Sequence, residues 1–183
     1  GGILDAKDAL DRGPVDLIVD LTLSANNPNS GTHTAGTTFM GQFMDHDMTF
    51  DLTSRLGQAT DPAASPTART PAFDLDSVYG GGPQADPELY EQVRRGDTSQ
   101  RGIKFKVESG GLFEDLPRQG NTAIIADPRN DENLVIAGLQ AAFLLFHNKA
   151  VDLITSNEVK LVDTRNRREE PDEVFRRARR LTT

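Results

Sequence analysis

The segment 41 to 47, Gly-Gln-Phe-Met-Asp-His-Asp, places an amide, two carboxylates and an imidazole inside a strongly apolar stretch. Polar groups in such a setting need hydrogen-bond partners or a chemical task. An imidazole flanked by an amide and a carboxylate can move a proton, so Gln42, Asp45 and His46 predict an acid/base site. Each of them could instead cap neighbouring backbone or face solvent.

The element that must hold these groups is a helix. Apolar residues recur at three- and four-residue spacings between residues 37 and 52, which predicts a helix buried on more than one side. At about 100° per residue, Gln42, Asp45 and His46 share roughly one third of the circumference, while Asp47 points elsewhere. The segment therefore serves two directions, an acid/base face and a single carboxylate aimed at something beyond it.

A loop bounded by prolines offers a second set of oxygen atoms. Residues 70 to 76 read Thr-Pro-Ala-Phe-Asp-Leu-Asp. Asp74 and Asp76 beside Thr70 supply the ligands that a hard cation such as Ca²⁺ requires, with backbone carbonyls filling the remaining positions. The same two aspartates could simply form Asx turns.

A long second helix is predicted to start at Asp127-Pro128, an N-cap followed by proline, and apolar residues recur from 134 to 154. Arg129 and Glu132 lie three residues apart in its first turn, so a cation and a carboxylate would project together. This pair could also be an ordinary salt bridge at a helix start.

The remaining segments predict a mainly α protein with long irregular loops. Stretches 24 to 34, 57 to 71 and 79 to 83 are rich in glycine, proline and small polar residues. Residues 101 to 116 alternate like a strand or hairpin edge. Residues 171 to 181 predict an amphipathic final helix.

Composition excludes several classes of protein. The 183 residues could bury one core, and nothing in the length demands two domains. A net charge of -8 argues against a nucleic-acid partner, and no window approaches a membrane span. The absence of cysteine excludes a disulfide scaffold and a thiolate site, but leaves the compartment open.

Four segments, in order, resemble the animal-type haem peroxidases: residues 41 to 47, 69 to 80, 127 to 132 and the pair His147-Asn148. Four ordered matches make the resemblance specific. The lack of cysteine and the form of the Thr-Pro-Ala-Phe-Asp-Leu-Asp-Ser-Val-Tyr loop are similar to the bacterial members. The resemblance implies a peroxidase-like helical fold, of which residues 1 to 183 form the distal, N-terminal portion of one domain.

The resemblance also implies roles for the matching residues. His46 corresponds to the distal histidine that moves the peroxide proton, and Arg129 to the arginine that stabilises developing negative charge. Gln42 corresponds to the glutamine that positions water or a halide. Asp45 and Glu132 correspond to the carboxylates that form ester bonds to haem methyl groups. The implied cofactor is therefore a covalently linked haem b derivative.

A calcium site is implied as well. Its ligands would be oxygen atoms of Asp47, Thr70, Ala72 through its carbonyl, Asp74 and Asp76. Such a site would tie the distal helix to the loop, which gives the second direction of that helix a destination.

Two departures from the family limit what can be transferred. Asn133 stands where some members have a methionine that forms a sulfonium link to haem, so that link is not expected. The family's proximal histidine lies downstream of the segment that matches 170 to 183, and neither His33 nor His147 is expected to hold the iron. We therefore expect a cleavage product or a fragment, in a secreted or periplasmic location. Its partners would be a second polypeptide that carries the proximal histidine, H2O2 and a small oxidisable substrate.

Four functions are compatible with parts of this pattern. The peroxidase hypothesis predicts oxidation of halides or small organic donors by H2O2. A fatty-acid oxygenase of the same superfamily is disfavoured by the Asp-His-Asp pattern and the calcium loop. A haem-free, calcium-stabilised interaction module is disfavoured by the joint presence of Gln42, His46 and Arg129. A metal-dependent phosphohydrolase using His46 and Asp47 needs further histidine ligands.

Overall fold

The computed structural model describes residues 34 to 55, 57 to 92, 102 to 109, 114 to 156 and 171 to 183. The chain divides into two compact units, Gly1–Thr38 and Phe39–Thr183. In the first unit the described residues, 34 to 38, contain the start of helix α1, where the Thr37 amide donates to the Thr34 carbonyl at 3.0 Å. His33 and nearly all of the predicted loop 24 to 34 lie outside the described residues.

The described residues are mainly helical, which confirms the predicted fold class at that level. The helices are α1 Ala35–Met48, α2 Asp76–Tyr79, α3 Leu134–Thr155 and α4 Pro171–Thr182. Short 3-10 turns occupy Pro62–Ala64, Pro87–Leu89 and Pro128–Asp131. Two antiparallel strand pairs join β1 Glu108–Ser109 to β2 Glu114–Asp115 and β3 Arg118–Gln119 to β4 Thr122–Ala123.

Helix α1 ends earlier than predicted and is buried on one face only. The chain leaves the helix after Met48 because the Phe50 backbone pairs with the loop, donating to Thr67 Oγ1 at 3.0 Å and accepting from Ala68 at 2.7 Å. The prediction of burial on several sides is wrong: Phe43, His46 and Asp47 are buried. Two methionines that look like core residues in the sequence, Met40 and Met44, are each 37% exposed.

The element predicted to start at Asp127-Pro128 is two elements. The Asp127 carboxylate caps only a 3-10 turn, accepting from the Arg129 amide at 3.0 Å. Asn133 then adopts extended backbone and caps α3 separately, accepting from Val135 and Ile136 at 3.1 and 3.0 Å. The helical start was therefore predicted too early, because the proline signal belongs to the preceding turn.

Two apolar clusters hold the unit Phe39–Thr183 together. Helix α1 packs on α3 through Phe43 and Phe143, whose rings stack with centroids 5.0 Å apart. This cluster extends to the buried rings of Tyr79, Tyr90 and Phe105. The second cluster joins α3 to α4, and α4 confirms the predicted final helix; its buried members are Ile103, Ala150, Val151, Ile154, Val174 and Ala178.

The segment predicted as a strand or hairpin edge is a hairpin only in part. Strands β1 and β2 pair, with Glu108 opposite Asp115. Upstream, Phe105 is buried and held by Asn148, which accepts from its amide at 2.8 Å and donates to its carbonyl at 2.9 Å. The apolar residues of this segment are therefore used to fix it against α3.

Helix α3 has 22 residues and contains an 18-residue window of mean hydropathy 1.5, so it is long and apolar enough to cross a membrane by length and composition alone. This finding does not contradict the expectation that the chain has no membrane span, because core helices meet the same test. Helix α3 carries buried Ile136, Gln140 and His147.

Candidate functional site

His46 lies on the buried face of α1 and is 4% exposed. Its Nδ1 is 2.9 Å from the side-chain oxygen of Asn130, which is wholly buried. Asn130 in turn donates to the Ser77 carbonyl at 3.3 Å and to Gln140 Oε1 at 2.9 Å. The other imidazole nitrogen, Nε2, makes no hydrogen bond to any residue that the structure describes. Within the described part of the chain, one nitrogen of His46 is therefore held and the other has no partner.

A second contact joins the same two segments. Gln42 Nε2 donates to Glu132 Oε2 at 2.8 Å across 90 residues of sequence. Asp45, on the same side of α1, is exposed, and so is Glu132. The structure thus brings Gln42, His46 and Glu132 together and leaves the side of α1 that carries Asp45 open.

The Arg129 guanidinium lies at the C-terminal end of α1. Its Nη2 donates to the His46 carbonyl at 2.9 Å and to the Thr49 carbonyl at 2.6 Å. These carbonyls are among those that a helix end leaves without an internal partner, and a cation there is favourable. The alternative of a salt bridge between Arg129 and Glu132 is wrong, because the ion-pair partner of Arg129 among the described residues is Asp127. Asp127 captures the guanidinium through Nε at 3.1 Å and Nη2 at 2.8 Å.

Asp127 is the anion between two arginines. It is wholly buried and also accepts from Arg69 Nη2 at 2.7 Å. Burial alone would raise the pKa of the Asp127 carboxyl, but hydrogen bonds from Arg129 and Arg69 outweigh burial and hold the pKa below its usual range. The Phe50 ring lies 4.6 Å from the Arg129 guanidinium and 5.3 Å from that of Arg69. Arg129 is therefore fixed in place, with Nη1 unbonded to the described residues.

Asp47 points in the second direction predicted for α1. It is 1% exposed, and its carboxylate accepts from the Leu75 amide at 2.7 Å and the Ser77 amide at 3.0 Å. Leu75 has a φ of 59°, a left-handed conformation that costs a side-chain-bearing residue roughly 1–2 kcal/mol. The bond from Asp47 offsets that cost. In the part of the chain that the structure describes, Asp47 forms no ion pair with a cationic side chain.

The other predicted calcium ligands lie between residues 70 and 76, in the loop that leads into α2. Arg179 from α4 donates to the Asp74 carbonyl at 2.8 Å and to Asp76 Oδ1 at 3.0 Å. Thr70 and Ala72 are exposed, and the Ala72 amide donates to the Thr70 carbonyl at 2.8 Å. Among the described residues, no three His, Cys, Asp or Glu side chains lie together as a metal-binding group. Asp74, Asp76 and the amides that bind Asp47 therefore lie in one short segment, residues 74 to 77. The carboxylates do not form a closed metal-binding group there.

His147 is a core residue. It is wholly buried, with Nδ1 2.8 Å from the Tyr79 hydroxyl and Nε2 2.8 Å from the Ile103 carbonyl. Because the carbonyl can only accept, Nε2 carries the proton and the Tyr79 hydroxyl donates to Nδ1. Burial lowers the pKa of His147 to about 4 and raises that of Tyr79 to about 12. Both nitrogens of His147 are committed within the core, so neither is available to a metal.

A cavity of about 710 Å³ lies beside the start of α3. Its walls are apolar residues of α3, among them Leu134 and Ala137, and charged residues of the neighbouring strands. Arg118 binds Asp131 there through two hydrogen bonds of 2.7 and 2.8 Å. The cavity holds none of the residues predicted for proton transfer.

The residues that sequence reasoning missed are those that hold His46. Asn130 stands between Arg129 and Glu132 without an obvious task, and Gln140 is an isolated amide in an apolar helical run. A buried polar residue in such a run needs a partner, so Gln140 carried a usable signal. Its pairing with Asn130 depends on tertiary structure and could not be read from spacing.

Compared with known proteins, the chain matches no family model, no curated protein and no solved structure. What the site can do therefore follows from its own residues and their geometry.

Proposed function

We propose that this chain is the distal portion of a haem peroxidase that uses H2O2 to oxidise halides or small organic donors. One observation carries the proposal. The segments 42 to 46 and 129 to 132 meet through Gln42 with Glu132 and through Arg129 with the His46 carbonyl, across 90 and 83 residues of sequence. Two distant motifs that supply a base, a cation, an amide and a carboxylate at one place make a stronger case than either motif alone.

The residues on the open side of α1 fit a haem. Asp45 and Glu132 are exposed carboxylates, so each is accessible for an ester bond to the cofactor. Gln42 is half-buried and bonded to Glu132. A bound haem would supply the redox-active iron on which the oxidation depends.

His46 would act as the general acid and base. Its uncommitted Nε2 is suited to take a proton from H2O2 and return it to the oxygen that leaves as water. Such proton transfer by a positioned side chain contributes typically about 10²–10⁴-fold in rate. Because Asn130 holds Nδ1 at 2.9 Å, the imidazole does not need to be oriented at the moment of reaction.

Arg129 would stabilise negative charge that develops on the peroxide. Its Nε and Nη2 are committed to Asp127 and to the end of α1, which leaves Nη1 as the remaining donor. Pre-organised donors of this kind act without reorganisation during the reaction. Asp127 offsets part of the charge, but Arg69 shares the same carboxylate, so the cluster keeps a net positive charge.

Calcium binding is proposed at Asp47, Asp74 and Asp76, with Thr70 and the Ala72 carbonyl as further oxygen ligands. Asp47 supports it, because this buried carboxylate pairs with no cationic side chain of the described residues, and a buried anion without such a partner favours a bound cation. A hard cation bound by oxygen atoms meets this need. Arg179 donates hydrogen bonds to the Asp74 carbonyl and to one Asp76 oxygen, so Arg179 and the ion would both bind oxygen atoms of this loop.

A second polypeptide is proposed to supply the proximal histidine. His147 has both nitrogens committed, and His46 is assigned to the distal side.

One observation favours a different function: Arg129 serves as a structural cap of α1, which a non-catalytic, calcium-stabilised interaction module would also need. Haem binding separates the two functions.

The test is haem retention in the chain purified with its partner polypeptide. We expect a Soret band that survives acid–acetone extraction, because ester bonds would hold the cofactor. The double variant Asp45→Asn and Glu132→Gln should release haem on extraction. Asp131→Asn, a carboxylate neighbour paired with Arg118, serves as the matched control and should retain it. Absence of a Soret band would overturn the enzymatic proposal and leave the interaction module.

A further inference from the structure

Asn130 has an amide orientation that the backbone determines. Its Nδ2 is 3.3 Å from the Ser77 carbonyl oxygen. A carbonyl can only accept a hydrogen bond, so the amide nitrogen must face Ser77 and the amide oxygen must face the opposite way. The second hydrogen of Nδ2 reaches Gln140 Oε1 at 2.9 Å. Both donors of Asn130 are thus used by acceptors.

This orientation determines which nitrogen of His46 carries the proton. Asn130 Oδ1 is 2.9 Å from His46 Nδ1. An amide oxygen cannot donate, so Nδ1 must carry the hydrogen of this bond. In a neutral imidazole, Nε2 then has a lone pair and no proton. Nε2 is also the nitrogen without a partner among the described residues.

The support behind Asn130 comes from two helices. Ser77 lies in α2 and Gln140 in α3, and both residues are wholly buried, as is Asn130. Water does not reach these bonds and cannot offer an alternative partner. A buried hydrogen-bond chain of this kind specifies one arrangement of its members.

We propose that Asn130 is a positioning residue that locks His46 in the tautomer with Nδ1 protonated, so that Nε2 stays ready to accept a proton. The catalytic meaning of this lock rests on the proposed peroxidase function. The tautomer itself is a property of the chain and does not depend on haem.

The direct test is ¹⁵N NMR of the full chain with labelled imidazoles, without haem and near neutral pH. The His46 signals are identified as those that disappear in His46→Gln. We expect a protonated Nδ1 and an unprotonated Nε2. A protonated Nε2 in the wild-type chain would overturn the proposal.

Variants of Asn130 distinguish a residue that sets the His46 tautomer from one that only stabilises the fold. Asn130→Ala removes the acceptor, so the tautomer should become mixed or reverse; an unchanged tautomer would sink the proposal. Asn130→Asp keeps an acceptor at the same place, so the protonated Nδ1 should be retained. If Asn130→Ala does not fold, the wild-type and Asn130→Asp spectra still decide the question. Asn148→Ala is the matched control, because Asn148 also bonds through both amide atoms but contacts Phe105 instead.

A kinetic arm uses the haem-loaded protein with its partner chain. Asn130→Ala should slow the reaction with H2O2 at least ten-fold, with partial rescue in Asn130→Asp and no change in Asn148→Ala. If the wild type does not react but the tautomer is as expected, the peroxidase function fails and the tautomer lock stands. If the wild type reacts and Asn130→Ala reacts equally fast, the positioning role fails while the function stands.

Discussion

His46 and His147 are both buried histidines whose Nδ1 lies in a side-chain hydrogen bond, yet they differ at Nε2. In His147 this nitrogen donates to the Ile103 carbonyl at 2.8 Å, so the ring is used completely by the fold. In His46 it has no partner among the described residues. Burial therefore does not distinguish these two histidines. What distinguishes them is whether the second nitrogen is bonded to a described residue.

The surroundings of the two rings agree with this difference. His147 is packed edge-on against the rings of Tyr79, Phe105 and Phe175, with centroids 5.0 to 5.4 Å away. His46 is held by an amide chain on one side, and α1 remains open toward Asp45 on the other. The ring of His147 has both nitrogens bonded inside the core, whereas the ring of His46, although buried, has only Nδ1 bonded to a described residue.

The largest expected effect is the loss of folding stability when the side chain of His147 is removed. His147→Ala would remove one hydrogen-bond partner from the buried Tyr79 hydroxyl and one from the Ile103 carbonyl and would remove three ring contacts, at a cost of about 3–5 kcal/mol. His46→Ala should cost less, about 1–3 kcal/mol, because only Asn130 loses a partner. Urea unfolding of both variants measures the difference. Equal losses would show that the two sites are not distinct in this way.

The pH dependence of stability comes next. Burial lowers the pKa of His147 to about 4 from 6.5, so below pH 6.5 the unfolded chain binds a proton that the folded chain does not. Stability should fall as the pH drops from 6.5 toward 4 and level off below that, with a loss of about 3 kcal/mol. Unfolding midpoints across this range measure it. In His147→Gln, which does not titrate, the fall should be smaller by that amount; identical profiles would assign the loss elsewhere.

Asp47→Asn tests whether Asp47 stabilises the loop at Leu75 and Ser77 and whether it takes part in binding Ca²⁺. An amide offers one acceptor oxygen where the carboxylate offers two, so the Leu75 or the Ser77 amide loses its partner, at about 1–3 kcal/mol. The melting temperature of the wild type should rise with Ca²⁺ and that of the variant should not. Asp45→Asn, an exposed carboxylate two residues away, is the control and should keep the calcium response. A calcium response retained in Asp47→Asn would remove Asp47 from the ion site.

The smallest expected effect concerns the start of α3. Asn133 accepts from the Val135 and Ile136 amides, so Asn133→Ala should cost about 1 kcal/mol, the usual loss for an N-cap. It should leave both histidines as they are, which thermal unfolding combined with imidazole NMR can check. A change at His46 would mean that the cap and the histidine network are coupled.

Much of the helical content and the division of α1 into two directions could be predicted from the sequence, because periodicity and spacing within one helix are local properties. The start of α3 could not, since Asp127-Pro128 and Asn133 are both valid caps and only the extended backbone at Asn133 separates them. The partner of Arg129 could not be read from the sequence because three carboxylates, Asp127, Asp131 and Glu132, lie within three residues of it. The one that binds it, Asp127, is buried between two arginines.

The candidate site was predictable as a set of residues but not as a network. Gln42, His46, Arg129 and Glu132 stand out by chemical type in the sequence. That Asn130 holds the imidazole, and that Arg179 reaches the loop of Asp74 from 105 residues away, depends on packing between distant helices. Contacts of this kind have no periodicity to reveal them.

His46 is proposed to move the proton of H2O2 through Nε2, the nitrogen that has no partner among the described residues. The most direct measurement is the rapid-mixing rate of the haem-loaded protein, with its partner chain, on addition of H2O2. His46→Ala should lower this rate by about 10²–10⁴-fold, the range that a positioned acid/base group contributes. A rate equal to that of the wild type in a folded, haem-loaded His46→Ala protein would contradict the account.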